Sequence, residues 1–150
     1  MESILTETGA NSYKKRVLAL TSNHARLWGK MTADQMLAHC NAAFEASLSN
    51  DKKSPNALVR FIIKSIAKNA VVGEKPFKKN VPTAPDFVIV NERDFELEKE
   101  RTLDYINQAF AAGENYFEAK KHPVFGTMSA QQWSNLLSKH LDHHLQQFGV

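Results

Sequence analysis

Apolar residues recur along most of the chain at the three- and four-residue spacing of amphipathic helices. Asn11 to Leu20 reads as a first helix, with Val17, Leu18 and Leu20 as apolar positions. Thr32 to about Leu48 reads as a second. Thr32 is a good N-cap, and Gln35, three residues on, completes a capping box. Pro55 to about Ala70 reads as a third, with the proline at the first turn, where its missing N–H is harmless, and a stripe of Leu58, Phe61, Ile62 and Ile66. Glu92 to about Phe117 is the longest, with Phe95, Leu97, Leu103, Ile106 and Phe110 in a partial 3.6-residue pattern. Ser129 to about Phe148 closes the series, its Ser129 and Gln132 repeating the capping box and Gly149 stopping it. Alternation is missing except at Phe87 to Val90, which reads as an extended or loop-packed run. Pro76, Pro82 and Pro85 exclude helix from Lys75 to Asp86. The length of that loop suits a segment that covers a site or a plain crossover connection. The predicted architecture is all-α: a four-helix bundle with one extra short helix and a long Pro-rich loop, forming a single domain over residues 1–150.

Composition adds limits. The chain has 150 residues, 43% hydrophobic and 23% charged, which suits a globular domain and excludes disordered and disulfide-stapled classes. One cysteine permits no internal disulfide and fits a reducing compartment. The N-terminal stretch has two acids and no apolar stretch of the kind a signal peptide carries, and no apolar run approaches the roughly 20 residues of a membrane helix. The expectation is a cytoplasmic protein without a membrane partner. Net charge is +3, divided as +7 over residues 1–80 and −4 over the rest. The lysines of the basic half are scattered, so a solvated face is expected and no nucleic-acid partner. An apolar helix face left over from such a bundle would suit pairing into a homodimer.

The histidines carry the candidate chemistry. Three of six fall within Lys139-His140-Leu141-Asp142-His143-His144. With Trp133 at zero and about 100° per residue, His140 lies near −20° and His144 near +20°, both on the apolar stripe, while His143 sits at its edge and Asp142 points away. Two imidazoles four residues apart on one face can share a metal ion. The glutamate of the zinc-protease helix is missing, because Leu141 stands in its place. Two imidazoles make a weak site, so a third ligand from another helix is needed. His39, at the edge of the second helix's apolar stripe, is the candidate. Cys40 is a softer donor but lies on the stripe as a core residue would. Trp28 and Trp133 read as core aromatics that can also line a cleft, and His24 and His122 as loop residues. Asp34 and Glu45 flank the second helix and read as surface acids, so no general base stands out.

The stretch Trp28-Gly29-Lys30-Met31-Thr32-Ala33-Asp34-Gln35-Met36-Leu37-Ala38-His39-Cys40 resembles the first signature of the DinB-like superfamily, in which a tryptophan and a capped helix lead to a metal-binding histidine. The stretch His140-Leu141-Asp142-His143-His144-Leu145-Gln146-Gln147-Phe148 resembles its second, and His122-Pro123-Val124-Phe125-Gly126-Thr127-Met128-Ser129 resembles one uncharacterised branch. The resemblance implies a four-helix bundle with a divalent metal, zinc or nickel, held by His39, His140 and His144. It also implies an enzyme acting on a small-molecule substrate, most readily a transferase using a low-molecular-weight thiol. A metal-dependent hydrolase and a non-catalytic helical binding module are the alternatives.

Overall fold

In a computed structural model, residues 1–49 and 67–150 are described. The fold is all-α with a minute two-stranded sheet. Helix α1 spans Glu7–Ala19 and α2 spans Ala33–Leu48. A helical stretch over 67–72 leads into the Pro-rich loop, which contains a single 3-10 turn at Pro85–Phe87. Helix α3 spans Phe95–Ala119, strands β1 (Lys121–His122) and β2 (Gly126–Thr127) form an antiparallel hairpin, and α4 spans Ala130–Gln147.

Local chemistry sets these boundaries. Helix α1 starts one turn before the apolar pattern suggests, because the Thr6 hydroxyl accepts the Gly9 amide and frees the chain to turn helical there. The predicted capping boxes at Thr32/Gln35 and Ser129/Gln132 both form. Asp94, not Glu92, caps α3 by accepting the Leu97 amide. The 25-residue α3 breaks at Gly113, whose φ of 69° and ψ of 176° suit glycine almost alone. The break redirects its last turn so that Phe117 packs on Trp133, with ring centroids 5.5 Å apart. The predicted third helix lies outside the described residues as far as 66. The run Phe87 to Val90 forms no strand.

Helices α3 and α4 each pack against α1, against α2 and against each other. One core runs through the interface, with Val17, Met36, Leu37, Ile106, Phe117, Trp133, Leu141 and Leu145 buried. Arg16 on α1 pairs with Asp142 on the outer face of α4 at 2.7 Å. This packing sets α2 and α4 side by side, with the 73–94 loop passing across them. Gln35 donates to the Val90 carbonyl, and Asp34 accepts the Arg93 amide. No described helix is long and apolar enough to cross a membrane.

Candidate metal centre

Helix α4 presents His140 and His144 one turn apart, and α2 presents His39 opposite them. The three rings form a near-equilateral triangle, with centroids 4.7 to 4.8 Å apart. One nitrogen from each falls within 4.8 Å of the others. His39 and His144 are buried and His140 is half-buried, so the cluster meets its surroundings on the His140 side. His140 is less buried than its place on the apolar stripe suggests. The core face of α4 centres nearer Leu141 and Leu145, which leaves His140 on the boundary.

Hydrogen bonds fix which ring atoms can act as donors to a metal. His39 Nδ1 lies 2.9 Å from the Phe87 carbonyl. A carbonyl only accepts, so Nδ1 carries the proton and Nε2 of the neutral ring carries a lone pair. His144 Nδ1 lies 2.9 Å from Gln147 Oε1, which likewise leaves its Nε2 as the bare nitrogen. His39 Nε2 and His140 Nε2 are 2.9 Å apart. Two lone pairs do not face each other at that distance. Either His140 donates its Nε2 proton to His39, or a cation sits between them. Two nitrogens each about 2.1 Å from one tetrahedral ion stand about 3.4 Å apart, so this pair would open by about 0.5 Å to hold zinc.

Electrostatics keeps the triad neutral near pH 7. Burial lowers His39, against the pull of the Phe87 carbonyl. Burial, followed by the neighbouring His144, His39 and His143, holds His140 well below the ordinary histidine value. Burial and His39 push His144 down to about 3, against the Gln147 hydrogen bond. Neutral imidazole is the form that binds metal.

The remaining candidates take other places. His143 faces Trp28 and Phe77, with ring centroids 5.7 and 5.9 Å away, and Lys79 Nζ stands 4.0 Å from the Trp28 centroid. Trp28 therefore stands beside the cluster and Trp133 in the core. Cys40 is fully buried against Met36, and burial pushes its thiol up, so it faces the core and not the triad. His24 caps a turn by accepting the Thr21 amide. The loop does cover the candidate site, through the Phe87 carbonyl. That contact had no sequence signal, because a backbone oxygen belongs to every residue. Gln147 was visible only as part of a motif; its spacing of three residues from His144 on one helix was the available clue.

His122 is structural. Its Nδ1 accepts the Val124 and Phe125 amides, and its ring packs on Phe125 and Trp133. Burial, then Lys68, lowers it to about 4. The folded state therefore binds fewer protons than the unfolded chain, whose histidine titrates near 6.5. Its contribution is complete above about pH 6.5 and is lost as pH falls toward 4. Partial exposure of the hairpin limits the effect to about 2 kcal/mol. Urea unfolding at pH 7 and pH 4 is expected to show a loss smaller by that amount in His122→Gln than in the wild type; equal losses in both would remove His122 from the acid response.

The chain belongs to a family described as a protein of unknown function, DUF1569, whose pattern matches residues 4–149. No curated protein and no solved structure matches it.

Proposed function

We propose, from the geometry of the triad and the DinB-like resemblance of the stretches that carry it, that the chain is a metal-dependent enzyme. His39, His140 and His144 hold one divalent ion, zinc or nickel, and the substrate is a small electrophile that receives a low-molecular-weight thiol. The observation that carries this reading is the convergence of three neutral imidazoles, two of them already set by hydrogen bonds to offer Nε2. When bound, an ion with three neutral ligands keeps its full charge and acidifies a thiol or water in its open position. The chain's own part is to hold the ligands, to keep bulk water off His39 with the Phe87 loop, and to admit small molecules on the His140 side. The choice of thiol over water rests on the DinB-like resemblance of the Trp28–Cys40 and His140–Phe148 stretches. The thiol would lose its proton to solvent, and a carbon–sulfur bond would form as the leaving group departs.

Zinc- or nickel-loaded protein should conjugate 2-mercaptoethanol or cysteine to 1-chloro-2,4-dinitrobenzene. The rate should fall to background after chelation and return with metal. Metal-dependent hydrolysis of p-nitrophenyl acetate without any conjugation would replace transfer with hydrolysis. Stoichiometric metal with neither activity would leave a non-catalytic binding module.

A further inference from the structure

We infer that Gln147 is a positioning residue that makes His144 an Nε2 ligand, and that the left-handed turn at Gly29 keeps Gln147 in that role. The inference rests on the three-histidine reading of the site. A glutamine amide is ambiguous: turned one way it accepts from a histidine, turned the other it donates. Donating to His144 Nδ1 would leave the ring proton on Nε2, and that ring could not bind a metal through Nε2. The ambiguity is removed by Trp28. Its carbonyl, which only accepts, lies 2.7 Å from Gln147 Nε2, so Oε1 must face His144. The orientation passes from the Trp28 carbonyl to the Gln147 amide to the His144 ring.

The turn is built for this contact. Gln147 is buried at the last position of α4, and its backbone carbonyl also accepts the Leu27 amide at 2.7 Å. One residue therefore grips the 27–28 segment by backbone and side chain together. Gly29 follows at φ 80°, and a Cβ there would overlap Gln147 Nε2. Because that nitrogen ends a flexible side chain, an added methyl would push the amide aside and release His144. The tryptophan-led turn before α2 thus serves a ligand on α4, more than 100 residues away in the chain. Outer partners that orient ligating histidines affect metal affinity about 10–100-fold.

The test compares Gln147→Met, Gln147→Glu and Gly29→Ala with the wild type. Nitrogen-15 NMR of the His144 ring is read without metal, and zinc affinity by chelator competition. Wild-type His144 should carry its proton on Nδ1. Gln147→Met should mix the tautomers and weaken zinc about 10–100-fold. Gln147→Glu keeps an acceptor for His144 but loses its donor to Trp28. It should keep the Nδ1 proton and near-wild-type zinc affinity while losing thermal stability. Gly29→Ala should follow Gln147→Met. If Gln147 served only to anchor the turn, Gln147→Glu would weaken zinc as much as Gln147→Met, and that result overturns the inference. An Nε2 proton in the wild type overturns it as well. Wild-type protein that binds no zinc while His144 keeps its proton on Nδ1 overturns the metal reading and supports the Gln147 assignment.

Discussion

The His140→Ala/His144→Ala double variant is expected to lose stoichiometric metal while remaining folded. Both side chains come from α4 and supply two of the three converging nitrogens. Removing an outer partner of a ligand costs about 10–100-fold in affinity, and removing two ligands outright should exceed that by orders of magnitude, beyond detection at micromolar protein. The helix should survive. Alanine is the best helix former, and the apolar side of α4 is carried by Trp133, Leu137, Leu141 and Leu145, none of which changes. Loss of His140 leaves the His39 Nε2 lone pair without its partner at 2.9 Å, and loss of His144 frees Gln147 Oε1 while its Nε2 keeps the Trp28 carbonyl. Both effects are local. Elemental analysis of untagged protein, with circular dichroism of both forms, is the measurement. About one ion per wild-type chain and none in a helical variant is the expected result. A wild type that takes up no ion even after reconstitution with zinc and nickel would refute the metal centre.

Asn41→Ala should destabilise the fold by about 3 kcal/mol. Asn41 has no exposed surface and joins α2 to α3. Its Nδ2 donates to the Glu98 carbonyl at 2.9 Å and to Glu98 Oε2 at 2.7 Å, and its Oδ1 accepts the Thr102 hydroxyl at 2.8 Å. Glu98 is itself buried, with Arg101 Nη1 as its other donor at 3.1 and 3.2 Å. Alanine would leave a buried carboxylate short of one donor and a buried hydroxyl with only its own helix carbonyl. An orphaned buried polar group costs roughly 1–3 kcal/mol, more when charged, so two together set the figure. For a chain of this size the melting temperature should drop by about 10 °C. Urea unfolding at pH 7 measures it; a loss below about 1 kcal/mol would show that the network contributes no more than an exposed hydrogen bond. Asn41 lies two residues beyond His39 on α2, so the same contacts also fix the helix that carries the third histidine.

Periodicity assigned Asn41 no role. With Met36 at zero, Asn41 falls at about 140°, toward the polar side of α2. It is buried because α3 lies across that side, and a helix–helix contact is not written in the spacing of either helix. His39 shows the same limit. Its pattern put it at the edge of the apolar stripe, yet it is 4% exposed, because the 73–94 loop lies over it and the Phe87 carbonyl accepts a hydrogen bond from its Nδ1.

What the sequence determined by itself is local. Capping boxes at Thr32 and Ser129 located two helix starts, because the residues that satisfy the first free amides are close neighbours in the chain. Three prolines excluded α-helix from the loop, which holds only a single 3-10 turn. The i, i+4 spacing placed His140 and His144 together, since one turn of helix relates them whatever surrounds it. Tertiary structure alone decided the rest. It brought His39 across to His140, 101 residues away, and it chose the ring nitrogens through Phe87 and through the Trp28–Gln147 link. It also brought Phe117, just beyond the local break at Gly113, against Trp133. Each of these depends on which surfaces meet when the helices pack. Helical periodicity shows which side of a helix is apolar. It does not show which partner lies against that side, or which backbone carbonyl comes within reach of a histidine.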